Sequence, residues 1–265
     1  MLGNRNSSRI FLQVLTFLLL LREFVTSFLT TTPTSSRRAS FHDTSINMSA
    51  AASRLARSSV GKITPQTSLF FLCDIQDRFR PLMYNGETIV TTAQYLTSMA
   101  SELSVPVVAS QQYTKVFGPT VTDCFANGQQ DIDKLVAQGQ LFEKKKFSMI
   151  TDEVQALIET DDFKNRNSIV LFGIEAHVCV QQTCLDLLEM GKEVHVICDG
   201  VSSQQPFDRE IALERMASAG AYLTTAQSLA FMLMQTADHP NFKAVSKLTV
   251  NHMKLPNAFN DAYKK

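Results

Sequence analysis

The chain has 265 residues, 45% of them hydrophobic, and 25 Lys and Arg against 25 Asp and Glu, so its formal net charge is zero. Such a length admits one large α/β domain or two small ones, the apolar content fills a sizeable core, and zero net charge gives no electrostatic footing for nucleic acid or an acidic partner. The five cysteines, Cys73, Cys124, Cys179, Cys184 and Cys198, form no CxxC pair, which argues against a disulfide framework or a zinc site.

Residues 1–60 differ from the rest. Arg5 and Arg9 precede the apolar run Ile10 to Leu21, which suits a signal-peptide core better than a bilayer span. Thr30 to Ser59 is rich in Ser, Thr, Ala and Arg, with Asp43 its only acid, in the manner of a transit peptide. The order predicts a bipartite leader, plastid import and no stable membrane span in the mature protein. A mitochondrial or secretory route is the alternative, and a cytoplasmic protein follows if Met48 is the true start.

The domain is expected over 65–236, followed by a C-terminal extension over 237–265. Ser68 to Cys73 is a continuous apolar run, as in a parallel strand buried on both faces. Helical spacing over Thr88 to Leu103 predicts a helix, Val105 to Ala109 a second strand, and Gln111 to Thr120 a long loop. A short helix is expected over Asp131 to Val136 and a brief third strand at Leu141-Phe142. Asp152 to Glu159 suits a helix capped by Thr151. Ser168 to Gly173 is the fourth strand, and its helix runs from Val178 to Met190, stopped by Gly191. Glu193 to Cys198 is the fifth strand. Pro206 opens a helix reaching Ala219. Gly220 to Thr224 makes a sixth strand, and Thr225 caps a helix over Ala226 to Met234. Asn241 to Met253 forms one more helix, a candidate for packing on a neighbouring subunit.

Alternating strands and helices define an α/β fold with a parallel sheet covered on both faces. No GxGxxG follows a strand and no Walker A motif occurs, which disfavours dinucleotide and P-loop readings. Ligands of open α/β sheets bind beyond the carboxyl ends of the strands. Three reactive groups fall there: Asp74 after the first strand, a lysine of the run 144–146 after the third, and Cys179 just past the fourth. A carboxylate can take a thiol proton and return it to a leaving group, an ammonium stabilises both anions, and a thiolate attacks an electrophilic carbon. His177 lies two residues before Cys179 and is read as a rim residue rather than its base.

Asp74-x-Gln76-x-x-Phe79, Lys144-x-x-Phe147-Ser148 and Gly173-Ile-Glu-Ala-His-Val-Cys179-Val180 resemble, in order, three segments of the isochorismatase-like cysteine hydrolases, and most closely the isochorismatase domain-containing branch. The resemblance implies a three-layer α/β/α fold with a six-stranded, mostly parallel sheet. It implies Asp74 as base, Lys144 as the catalytic lysine and Cys179 as nucleophile, with a thioester-like or other covalent intermediate. It also implies a non-proline cis peptide, mapped to Glu175-Ala176, and an oxyanion hole from the N–H groups of Ala176 and Cys179. The family commonly assembles, so a homo-oligomer is expected.

One departure stands out. Metal-binding members of the superfamily carry an Asp and histidines after the second strand, and Ser110 to Gly118 has neither. No metal and no cofactor is therefore expected. Phe79, Gln112, Tyr113 and Phe117 are the expected lining of a neutral, partly apolar pocket for a small amide, imide or vinyl-ether-like substrate. The competing reading is a catalytically silent member acting as a binding or scaffold protein.

Overall fold

The computed structural model describes residues 60–261. The expected leader, and with it the argument for localisation, lies outside the described residues. Six strands form one sheet: β1 (Ser68–Cys73), β2 (Val107–Gln112), β3 (Leu141–Lys144), β4 (Ser168–Ile174), β5 (Glu193–Ser202) and β6 (Tyr222–Thr224). Their order is β3-β2-β1-β4-β5-β6, and every pairing is parallel.

All residues of β1 and β4 are buried, which is why both read as unbroken apolar runs. The chain steps outward from β1 through β2 to β3 and then returns to place β4 on the other side of β1. The crevice between β1 and β4 is thus the point where the strand order reverses, the position at which such sheets hold ligands.

Alternate residues of β1 serve opposite faces. Phe70 and Leu72 pack with α1 (Gly86–Glu102) through Ile89 and Leu96. Leu69, Phe71 and Cys73 face the other layer, where α4 (Asp152–Ile158), α5 (Gln181–Glu189) and α6 (Pro206–Ala219) contribute Val154, Leu187 and Met216. The elements between are the short helix α2 (Thr114–Phe117) and α3 (Gln129–Ala137). α7 (Ala226–Met234), α8 (Phe242–Met253) and the short α9 (Ala258–Asp261) complete the described chain. Among the described residues no helix is long and apolar enough to cross a membrane.

The capping signals act as read. Thr151 accepts the Val154 N–H and Thr225 that of Ser228, while Pro206 opens α6. The strands differ at their ends. β2 begins two residues later than its apolar pattern, after Pro106, and runs on to Gln112, because Gln111 and Gln112 pair with Glu143 and Lys144 of β3. β5 continues past Cys198 to Ser202 and takes up a register irregularity beside Gly173. The C-terminal helix α8 packs on α1 of its own chain. Val245 is buried there, Tyr95 Oη and Thr249 Oγ1 are 2.7 Å apart, and the Tyr95 ring stacks on His252 at 4.6 Å.

Candidate active site

Asp74 follows β1 directly with φ of 48°, a left-handed conformation that Asp tolerates better than most residues. Its carboxylate is buried and fully engaged. Oδ2 accepts from Lys144 Nζ at 2.6 Å and from the Cys73 thiol at 3.6 Å, and Oδ1 accepts from Ser110 Oγ at 2.7 Å. Register explains the convergence: Cys73 is paired with Ser110 on one side and Gly173 on the other.

Lys144 is the last residue of β3, and its ammonium is enclosed. It also donates to Gln112 Oε1 at 2.8 Å, the Phe147 carbonyl at 2.8 Å and the Lys146 carbonyl at 3.2 Å. A buried ion pair is tolerated only when its remaining hydrogen-bonding groups are satisfied, and here they are. Burial works against the charge, but Cys73, Asp74 and Cys179 outweigh it and hold the Lys144 pKa above its ordinary value. The other two lysines point elsewhere. Lys145 sits over the Tyr113 ring at 5.3 Å, while Lys146 is 55% exposed and reaches the Ile150 carbonyl and Asp186.

Cys179 lies in a π-helical turn, Ala176–Val180, that leads from β4 into α5. Gly173 makes the approach possible: a Cβ on it would stand 2.0 Å from the Cys73 carbonyl oxygen, and its φ is 127°. The cis peptide is Ile174-Glu175, one bond earlier than the expected Glu175-Ala176. The bond joins Ile174, the last residue of β4, to Glu175, which precedes the π-helical turn. The Glu175 carbonyl receives the N–H groups of both Val178 and Val180 at 3.1 Å. The Ala176 N–H, at the first position of the turn, lies outside the helical ladder. Cys179 is 7% exposed, and its thiol contacts that of Cys73. Burial, ahead of the Cys179 contact and the Asp74 charge, pushes the Cys73 pKa well above the ordinary thiol value.

Of the expected lining residues, Phe79 and Phe117 stack on each other at 4.4 Å. Gln112 is buried and committed to the scaffold, donating to the Lys145 carbonyl while accepting from Lys144. Tyr113 follows β2 in a left-handed conformation, beneath Lys145. Gln76 ties these loops together: its amide nitrogen donates to the carbonyls of Gln112 and Gly118, and its oxygen accepts from the Gln112 N–H. His177 turns to Ser203 Oγ, 2.9 Å from its Nδ1, and to Asp208. Asp199 accepts the Ala226 N–H and so holds the start of α7. Among the described residues no group of three or more His, Cys, Asp or Glu is placed to hold a metal ion.

Two residues at the centre of the site escape sequence reasoning. Cys73 reads as core because free cysteine packs as a small hydrophobe, and Ser110 falls between the expected second strand and the expected loop. The signal that could have found Cys73 is its place at the strand end, one residue before the carboxylate.

A six-stranded parallel sheet between two helical layers, with a carboxylate, a buried ammonium and a thiol at its switch point, defines the isochorismatase-like class of α/β protein. The isochorismatase domain model matches residues 68–228, and the chain belongs to this family of hydrolases. It is 41% identical over 210 residues to the secreted isochorismatase effector Isc1 of Phytophthora sojae, which covers 79% of this chain and 97% of that protein. It is 41% identical over 189 residues to isochorismatase domain-containing protein 1 of Danio rerio, covering 71% of this chain and 63% of the relative. Among solved structures, the MAR1 ribonuclease of Caenorhabditis elegans is similar with a TM-score of 0.63 and 37% identity, over 71% of this chain and 92% of that one. The Escherichia coli YcaC product, described as an octameric hydrolase of unknown specificity, shares the fold at a TM-score of 0.64 and 18% identity, over 75% and 94% of the two chains.

Proposed function

We propose that this protein is a metal-independent cysteine hydrolase of a small amide, imide or vinyl-ether-like molecule, with Asp74, Lys144 and Cys179 as its catalytic groups. The observation that carries the reading is the enclosed Asp74–Lys144 pair at 2.6 Å in a site that also holds the Cys179 thiol. Proton transfer from Cys179 to Asp74 leaves a thiolate and a carboxylic acid. The thiolate sulfur bonds to the electrophilic carbon, and the bond to the leaving group breaks as Asp74 returns the proton to it. For an amide or imide, water then gives its proton to Asp74 and its oxygen to the acyl carbon, the C–S bond breaks, and the proton on Asp74 passes to sulfur to restore the thiol. Lys144 compensates the negative charge wherever it resides in this cycle. The N–H groups of Ala176 and Cys179 are the proposed donors to the oxyanion. Ser110 to Gly118 offers no acid or histidine, which supports chemistry without a metal.

The test is turnover across a panel of small amides, imides and vinyl ethers by the wild type and by Cys179→Ala. Loss of turnover in the variant supports the proposal. Equal turnover by both proteins overturns it, and a Cys179 that alkylates no faster than a free thiol favours the silent binding protein.

A further inference from the structure

The thiol hydrogen-bonded to the Asp74 carboxylate is that of Cys73, at 3.6 Å from Oδ2. The same thiol contacts Cys179. Both cysteines are buried in one cluster beneath α5, and the left-handed turn at Asp74 brings its carboxylate back to the side on which Cys73 points. Lys144 already occupies Oδ2 from another direction and Ser110 occupies Oδ1. Cys73 is therefore a neighbour of both the nucleophile and the base.

We propose that Cys73 is a catalytic proton relay between Cys179 and Asp74. The inference rests on the hydrolase reading above. In the activating step the Cys179 proton passes to Cys73 Sγ while the Cys73 proton passes to Asp74 Oδ2. One S–H bond breaks at each sulfur and one forms at Cys73, so Cys179 becomes a thiolate, Cys73 ends as a neutral thiol and Asp74 as a carboxylic acid. No oxidant, reductant or net charge is needed. After transfer the Cys73 S–H is free to donate to the new thiolate, which holds Cys179 in its reactive form. A relay must not stay ionised itself. Burial and the adjoining acid keep the Cys73 thiol protonated, whereas an aliphatic residue in its place would pack as well but carry no proton.

The experiment measures, under reducing conditions, the rate of iodoacetamide modification at Cys179 against pH, by peptide mass spectrometry. The proteins are the full chain, Cys73→Ala and Cys73→Ser. The expected result is that Cys73→Ala shifts the midpoint upward by about one pH unit, a roughly tenfold loss of rate at neutral pH. Cys73→Ser, which keeps a transferable proton, should stay near the wild type. Should Cys73→Ala fail to fold, Cys73→Val takes its place, since it fills the space without a donor. A Cys179 profile in the donor-free variant that superimposes on the wild type overturns the relay. Equal losses in the Ser and donor-free variants also overturn it and assign Cys73 to packing. A wild-type Cys179 without enhanced reactivity overturns the hydrolase reading instead, so the two failures are distinguishable.

Discussion

Lys144 Nζ lies 2.6 Å from Asp74 Oδ2, 70 residues away in the chain, and solvent reaches neither side chain. Removing one member of such a pair strands the other charge, at a cost of about 3–5 kcal/mol. Lys144→Met should therefore lower stability by about that amount in urea titration and slow Cys179 alkylation. Lys145→Met and Lys146→Met should each stay within about 0.5–1 kcal/mol of wild type, as expected of side chains away from a buried network. A similar loss in all three would show that the pair contributes nothing special.

Ser110 supplies the only side-chain hydroxyl recorded on Asp74 Oδ1 among the described residues. A hydrogen bond to a charged group contributes about 1.5–3 kcal/mol. Ser110→Ala is expected to destabilise by that order and to slow Cys179 modification, because the carboxylate is no longer held. Ser110→Thr should recover part of both. Stability and alkylation rate, measured on the same samples, check the prediction.

Gly173 and Gly191 both have positive φ, 127° and 78°, but very different surroundings. Alanine at 173 would drive a Cβ into the Cys73 carbonyl at 2.0 Å. Gly173→Ala should cost more than about 4 kcal/mol or prevent folding, in the range reserved for severe backbone conflict. Nothing lies within 4 Å of the position a Gly191 Cβ would take, so Gly191→Ala should cost only the left-handed strain of about 1–2 kcal/mol. Thermal unfolding of the two variants separates the effects.

His195 and His252 are both held below the ordinary imidazole pKa by burial, partly offset by Glu193 and Asp199 respectively. The unfolded chain takes up protons on these rings as pH falls through about 6.5, while the folded chain resists. Their contribution is thus present above that pH and is lost progressively below it, down to the folded-state pKa. Denaturant midpoints between pH 7 and 5 should decline. His195→Phe, which retains a ring against Tyr222, should flatten the decline.

Docking of α8 on α1 is expected to be part of the domain's own stability. Tyr95→Phe loses one buried hydrogen bond to Thr249, for about 1 kcal/mol. Val245→Asp places an unpaired charge in the core and should release α8 to protease while Cys179 alkylation persists. Unchanged protease resistance would place α8 outside the cooperative unit.

Much of the architecture is legible locally. β1 and β4 are apolar after a leading serine because helices cover both faces, and the bounds of α6 and α7 follow from Pro206, Thr225 and the periodicity between. Asp74 and Cys179 stand out because reactive residues interrupt those patterns at strand ends. The extension of β2 to Gln112 is not legible, since two glutamines carry no strand pattern and only their pairing with Glu143 and Lys144 recruits them. The same pairing decides which lysine is buried on Asp74: residues 144, 145 and 146 look alike in charge and chain position until register sends one inward.

By itself, then, the sequence determined the main strands and helices, the parallel sheet and the candidate reactive groups, but not the short helix α2 inside the expected loop. Periodicity, capping and turn chemistry act within a few residues of one another and can be read along the chain. The tertiary structure alone decided which atoms meet. It placed the Cys73 thiol on Asp74, moved the cis bond to Ile174-Glu175 and folded α8 onto its own chain. These depend on strand register and packing between distant segments, where a shift of one residue turns a side chain to the opposite face.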